Sequence, residues 1–230
     1  EMDGNNHTNA KPIFEAIQRQ YPYSQYAVLA DLRIADCLFT QGAYTEAATA
    51  YNEFIKAHKA HKEADYASYR AGEAYSKMIP SDLFFLPPPR EREQAPMLDA
   101  RNALTQFMMD YPTSAWKKQG TKILVSVENL LVEHEMYVAK FYLKRDDRRA
   151  AVVRLEGIQR LYTYSTLVPE AMMLQAVTYV EMNKPDDAKR VLNDIMKLFP
   201  KHHESLRASD FLNFIQGNQK QATNRGGADG

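Results

Sequence analysis

The histidines are the first residues whose type and spacing could do chemistry, because close histidine pairs can bind a metal ion. Two such pairs occur, His58 with His61 and His202 with His203. A closed zinc site needs three or four ligands, and each pair stands where a polar turn is expected at the end of a helix. We therefore predict no metal site and no cofactor in this chain.

Three other features could support catalysis, but none is complete. Ser114 and Lys117 have the Ser-x-x-Lys spacing of serine acyltransferases, yet the Ser-Asp-Asn and Lys-Thr-Gly segments of such sites are absent; we expect Ser114 to cap the helix that follows it. The single cysteine, Cys37, is expected to be a small buried hydrophobe. Asp36 and Glu73 could face one groove, which keeps an enzyme with a catalytic carboxylate as a hypothesis. We predict no catalytic residue.

Charge and composition exclude further classes of protein. Twenty-nine basic and 29 acidic residues give a net charge of zero, so the broad basic surface that nucleic-acid binding needs is missing. No apolar run reaches the roughly 18 residues of a transmembrane helix. One cysteine permits no intramolecular disulfide. We therefore expect partners to be recognised by shape and local charge.

The elements that position these residues are indicated by an internal repeat. In this repeat, an Ala is followed four residues later by a large apolar residue and three residues after that by another, and a Pro often follows five residues further on. Steps of four and three place these side chains on one stripe of a helix. The pattern occurs at Ala10-Phe14-Ile17, Ala47-Tyr51-Phe54, Ala100-Leu104-Phe107, Ala151-Leu155-Ile158 and Ala188-Leu192-Ile195.

The repeat predicts an all-α fold of about five tetratricopeptide (TPR) helical hairpins stacked as a superhelix. In four repeats an amphipathic stretch precedes the pattern and carries a small residue where the paired helices must touch. Gly42 and Asn183 are expected to end helices in the left-handed conformation. We predict a flexible N-terminal end (1–9), a block of repeats 1–3 (10–112), a long helix with repeats 4–5 (113–216) and a disordered tail (217–230). The long helix should extend from Ser114 to Leu143, because that stretch contains no proline.

Solenoids of this kind mainly bind peptides and proteins, and two groups of residues are candidates for such binding. The first group lies on a helix that is expected to line the concave face and consists of Tyr66, Tyr69, Arg70 and Glu73. These side chains either form a groove that binds a peptide or pack against neighbouring helices. Phe84, Phe85 and Leu86 precede three prolines; this apolar loop either fills the adjacent groove or meets a partner.

Several phrases resemble the BamD family, the tetratricopeptide lipoproteins of the outer-membrane β-barrel assembly machinery. The most specific are Glu133-His-Glu-Met-Tyr-Val-Ala-Lys-Phe-Tyr-Leu-Lys-Arg145 and Ala151-Val-Val-Arg-Leu-Glu-Gly157, with Tyr21-Pro-Tyr-Ser24 and Tyr111-Pro-Thr-Ser114 in the same order. The resemblance extends from about residue 10 to residue 200. The Phe-Phe-Leu-Pro loop departs from the family, whose corresponding loop is usually shorter and charged.

The resemblance implies a non-enzymatic scaffold on the periplasmic face of the outer membrane, held there by an upstream lipidated cysteine. It further implies that the C-terminal repeats dock on the barrel subunit BamA, that the N-terminal repeats receive nascent outer-membrane proteins, and that accessory lipoproteins are possible partners. Arg154, with Glu156 beside it, stands where the family has its partner-facing arginine; otherwise Arg154 is an exposed arginine paired with an acid. A generic TPR scaffold of the bacterial envelope is the alternative.

Overall fold

The computed structural model describes residues 7–80 and 93–226, with side chains for 10–80 and 93–217. That part of the chain contains helices and no strand, so the predicted all-α class is confirmed. The helices are α1 (His7–Gln20), α2 (Gln25–Thr40), α3 (Tyr44–Ala57), α4 (Ala64–Lys77), α5 (Ala95–Asp110), α6 (Lys117–Lys144), α7 (Arg148–Leu161), α8 (Val168–Glu181), α9 (Pro185–Leu198) and α10 (His203–Gly226).

The repeated pattern marks the buried stripe of every second helix. Its five copies lie on α1, α3, α5, α7 and α9, and in the last four copies each patterned side chain is at most 2% exposed. The predicted small residues on the partner helices, Ala35, Gly72, Ala139 and Ala176, are buried too. At Gly72 a Cβ atom would lie 2.6 Å from Leu104 Cδ2, so α4 and α5 approach each other closely only because Gly72 has no side chain.

The turns inside the hairpins have the backbone conformation that the sequence predicts. Gly42 has φ 78° between α2 and α3, and Asn183 has φ 58° between α8 and α9. Asp146 has φ 64° at the corresponding point between α6 and α7, which the sequence analysis does not predict. Asp and Asn tolerate this conformation better than most residues, so three of the hairpins use the same chain reversal.

The chain divides into two compact units, Glu1–Glu128 and Asn129–Gly230. The predicted boundary at residues 112 and 113 is therefore too early. The first part of α6 belongs to the N-terminal unit because Gly120 packs on Phe107 and Met108 of α5. The predicted long helix is present as α6, whose 28 residues span about 42 Å.

The C-terminal helix α10 corrects the predicted tail. Disorder was expected from residue 217, whereas the backbone is helical to Gly226; residues 227–230 lie outside the described part. Ala208 and Ile215 are at most 5% exposed, and α10 packs on α8 and α9. The first part of α10 is therefore stabilised by a buried apolar stripe. The helix continues beyond this stripe because Gln, Lys and Ala have high helix propensity. At the other end α1 begins at His7, inside the end predicted to be flexible.

Candidate protein-interaction sites

The four predicted groove residues lie together on α4 in the N-terminal unit. Tyr69 is 7% exposed, and Tyr66, Arg70 and Glu73 are half-buried. Tyr66 and Arg70 contact residues of the preceding hairpin, α2 and α3, whereas Tyr69 contacts α5 and the turn before α6. The structure therefore brings these side chains together, but most of their surface contacts the protein itself.

Asp36 of α2 is the shared acceptor of this cluster. Its Oδ1 atom accepts hydrogen bonds from the Tyr51 hydroxyl at 2.6 Å and from the Tyr66 hydroxyl at 2.9 Å. Its Oδ2 atom accepts from Arg33 Nη1 at 2.7 Å, and Arg33 Nη2 also reaches Glu63 at 2.7 Å. A carboxylate engaged by three donors is held as a structural acceptor, so the hypothesis of a catalytic carboxylate at Asp36 finds no support here.

Arg70 links this carboxylate to Glu73. Its Nε atom donates to the Tyr51 hydroxyl at 3.2 Å, and its Nη1 atom pairs with Glu73 Oε2 at 2.8 Å. The guanidinium carbon lies 3.7 Å from the ring centroid of Phe39, a cation–π distance. We call Arg33, Asp36, Tyr51, Tyr66, Arg70 and Glu73 the Asp36 network. Because planar, stacked guanidinium groups lose little freedom on binding, this surface is preorganised.

Trp116 extends the aromatic side of the cluster, and the sequence analysis does not single it out. Its ring stacks on Tyr69 with centroids 5.3 Å apart and planes 7° from parallel, and lies 5.2 Å from the Tyr66 ring. Trp116 stands at the turn before α6, where Ser114 Oγ accepts its backbone N–H and donates to Asp65. Ser114 therefore orders the turn before α6, which begins three residues later at Lys117, and its role as the helix cap stays a prediction. The signal in the sequence is the single Trp, two residues after the Tyr-Pro-Thr-Ser turn.

The tyrosine hydroxyls of the cluster are held in their neutral form. Burial, followed by the negative charge of Asp36, raises the pKa of Tyr51 and of Tyr66 far above the ordinary value. Burial, followed by the charge of Glu73, raises the pKa of Tyr69 to about 12. Ionisation of any of these groups would place a second negative charge beside a carboxylate.

Alkaline conditions should therefore destabilise the N-terminal unit. A raised folded-state pKa gives stability that is complete below the unfolded value, 10.0, and is lost as the pH rises toward about 12 for Tyr69. We expect the urea midpoint, followed by circular dichroism, to fall between pH 9 and about 11.5, and to fall less in Tyr69→Phe. Tyr23→Phe, at a fully exposed ring, should match the wild type; equal slopes for all three proteins would contradict this interpretation.

The remaining predictions for the N-terminal unit concern the apolar loop and the single cysteine. Phe84, Phe85 and Leu86 lie outside the described residues, so both interpretations of that loop stay predictions. Cys37 is 1% exposed, as expected of a small buried hydrophobe, and burial raises the pKa of its thiol.

The predicted partner-binding residues of the C-terminal unit, Arg154 and Glu156, do not form one patch. They lie two positions apart on α7, and such residues point to different sides of a helix. Arg154 faces α6, where its Nη1 atom lies 3.4 Å from Glu135 Oε2. Glu156 faces α8 and accepts a 2.7 Å hydrogen bond from the Tyr179 hydroxyl. Arg154 is thus the exposed candidate, and Glu156 helps to join α7 to α8.

An open cleft of about 420 Å³ surrounds Arg154 between α6 and α7. We call it the Arg154 cleft; its lining residues are Glu135, Tyr142, Ala150, Val153, Arg154, Gly157, Arg160, Leu161 and Tyr162. Val153 is 67% exposed and Leu161 45% exposed, and nothing lies within 4 Å of a Cβ atom built on Gly157. The cleft therefore combines exposed apolar surface with two arginines.

The ion pair between Arg154 and Glu135 is weak, so Arg154 can pair with an acidic group of a partner protein instead. Its side chain is 47% exposed, and the 3.4 Å contact to Glu135 is a single one. Exposed pairs of this kind stabilise proteins by about 1 kcal/mol or less. An acidic group on a partner could therefore replace Glu135 at small cost and use the planar donor fork of the guanidinium.

Helical hairpins with an aromatic and charged network in one unit and an apolar, arginine-lined cleft in the other define a TPR protein-interaction scaffold. A model of the YfiO family, described as outer membrane lipoprotein, matches residues 1–205, and the chain belongs to this family. No helix in the described part of the chain is long and apolar enough to cross a membrane.

Curated relatives agree with this assignment. Proteins named "Outer membrane protein assembly factor BamD" are similar to the chain in Neisseria meningitidis serogroup B (25% identity, 91% of this chain, 80% of the relative) and in Xylella fastidiosa strain 9a5c (25%, 96% and 79%). A tetratricopeptide repeat protein from Parabacteroides merdae matches 93% of this chain and 94% of its own at 12% identity, with a TM-score of 0.26. The resemblance found in the sequence is confirmed.

Proposed function

We propose that the chain is a scaffold of the outer-membrane protein assembly (Bam) complex. The observation that carries this proposal is Arg154, an exposed and weakly paired guanidinium over an open apolar cleft in a chain of the YfiO family. Its relatives are named as assembly factors of outer membrane proteins. The role needs no catalytic group, since a scaffold contributes binding surfaces alone.

The C-terminal unit docks on a BamA-type barrel subunit through the Arg154 cleft. Val153 and Leu161 supply apolar area at the centre of the contact, and Arg154 supplies a charge-assisted bond to a carboxylate of the partner. Arginine is frequent among residues that dominate binding energy. Glu156 is not part of this contact, because it is bonded to Tyr179 on the far side of α7.

The N-terminal unit receives nascent outer-membrane β-barrel proteins at the Asp36 network and the adjoining Trp116. The edges of Tyr66, Arg70 and Glu73 form a rigid surface of aromatic and charged groups. Because their own contacts already fix these side chains, a client chain pays little to order them. In the full-length protein an upstream lipidated cysteine holds the scaffold on the periplasmic face of the outer membrane, where accessory lipoproteins are further partners.

A pull-down from detergent-solubilised envelopes with this chain as bait tests the docking surface. We expect the wild type to recover the barrel subunit and Arg154→Glu to lose it, because loss of one partner of an interfacial charge pair costs about 2–5 kcal/mol. Arg190→Glu is the matched control: Arg190 is 67% exposed on α9 of the same unit, and the charge change is identical.

The possible results separate the hypotheses. Recovery by both arginine variants means that the Arg154 cleft is not the docking surface. If no bait recovers the barrel subunit and another envelope protein is bound instead, the alternative of a generic TPR scaffold of the bacterial envelope replaces the proposal.

A further inference from the structure

Three side chains that commonly bind metals meet where α8, α9 and α10 join. They are Glu170, His202 and His203, and one ligand atom from each lies within 4.8 Å of the other two. Glu170 stands in the first turn of α8, His202 stands in the turn that leads from α9 into α10, and His203 is the first residue of α10. This cluster is separate from the Arg154 cleft, none of whose lining residues belongs to it.

The geometry of the turn holds the two imidazoles close together. The His202 backbone N–H donates to the Phe199 carbonyl at 3.0 Å, and the two ring centroids are 4.3 Å apart. The helices α8 and α9 pack as a hairpin, so the end of α9 and the start of α8 lie at the same end of the pair. Glu170 is thereby placed beside residues that follow it by more than thirty positions.

A second observation favours cation binding at this cluster. Glu204, the next residue, is 2% exposed, and its Oε2 atom has no hydrogen-bond partner among the described residues. Its Oε1 atom contacts Arg207 and lies 3.4 Å from His203 Nε2. A buried carboxylate oxygen without a partner is costly, and a bound cation beside it would lower that cost.

The distances suit zinc. Ligand atoms about 2.0–2.2 Å from a tetrahedral Zn²⁺ lie roughly 3.4 Å from one another. His203 Nε2 is 3.4 Å from Glu204 Oε1 and 3.9 Å from Glu170 Oε1. The ligand atoms of Glu170, His202 and His203 lie within 4.8 Å of one another, so side-chain movements of about 1 Å would bring them to the zinc spacing. His202 Nδ1 now accepts a long 3.3 Å hydrogen bond from the Glu204 backbone N–H, and the metal would take that lone pair instead.

We propose that Glu170, His202 and His203 bind one Zn²⁺ ion, with the Glu204 carboxylate as the fourth donor. Mixed imidazole and carboxylate donors suit zinc better than calcium or magnesium. Two carboxylates also offset the positive ends of α8 and α10. Because the ligands come from α8 and from the start of α10, the ion joins the two helices. All of α10 after its first turn lies beyond the residues that the family match covers.

Zinc titration of the chelator-treated chain by isothermal calorimetry tests this proposal. We expect one equivalent to bind, α10 amides to gain protection from hydrogen exchange, and His202→Gln/His203→Gln to weaken binding by at least about tenfold. His58→Gln/His61→Gln is the matched control, because it removes the other histidine pair from the other unit and should keep wild-type affinity.

Two results would overturn the site: no saturable equivalent in the wild type, or the same affinity in His202→Gln/His203→Gln. Should that double variant fail to fold by circular dichroism, Glu170→Gln decides, since it keeps both histidines. Unchanged zinc affinity in Glu170→Gln would overturn the site, and a loss of about tenfold or more would support it.

Discussion

Phe107→Ala will lower the free energy of unfolding of the N-terminal unit by about 3–5 kcal/mol. Phe107 is completely buried, and its ring packs against Tyr69, Tyr111 and the backbone at Gly120. Truncation removes this burial and leaves a cavity between α5 and the first part of α6. Helix backbones this close, at a glycine contact, have little room to collapse into the space.

Chemical denaturation followed by the fluorescence of Trp116 measures this effect. Trp116 is the single tryptophan and stacks on Tyr69, so its signal reports on the N-terminal unit alone. Met109→Ala is the matched control, because Met109 is on the same helix and 71% exposed; we expect a change within about 0.5 kcal/mol. A loss below about 1 kcal/mol for Phe107→Ala would contradict the packing described here.

Asp36→Ala should destabilise the same unit by about 2–4 kcal/mol, because it leaves the hydroxyl groups of Tyr51 and Tyr66 without their acceptor. Tyr51 is completely buried and Tyr66 half-buried, and Arg33 also loses a carboxylate partner. The free energy of unfolding from urea titration, read by Trp116 fluorescence, gives the magnitude. Asp99→Ala, at an exposed position on α5, should change it by less than about 0.5 kcal/mol.

A double-mutant cycle distinguishes the hydrogen bonds of Asp36 from its bulk. In a Tyr51→Phe/Tyr66→Phe background, Asp36→Ala should cost at least about 1 kcal/mol less than in the wild type, because both orphaned donors are gone. Equal costs in the two backgrounds would mean that Asp36 acts by packing or by its pairing with Arg33.

The two candidate sites separate stability from binding. The Asp36 network contributes to the fold of its unit through every residue in it, so most substitutions there would change stability together with the proposed client binding. Arg154 contributes one weak surface contact, so its substitution should test the proposed docking without unfolding the protein. In the C-terminal unit, a mutation can therefore test docking without also changing the stability of the protein.

Local features of the sequence determined the helices, their buried stripes and their turns. The stripe of Ala47, Tyr51 and Phe54 depends on steps of four and three along one helix, which need no distant information. The left-handed positions at Gly42 and Asn183 depend on the conformational freedom of single residues. The family phrases around Arg154 likewise belong to continuous segments of the chain.

Only the tertiary structure decided which side chains meet. Asp36 and Tyr66 are thirty positions apart, and Glu170 and His203 more than thirty, so their contacts depend on how helices pack and cannot be inferred from spacing. The same holds for α10, because the sequence predicts a disordered tail from residue 217 and the structure shows a helix that packs on α8 and α9. Packing selects among many faces that each helix could present, and this selection depends on all of its neighbours at once.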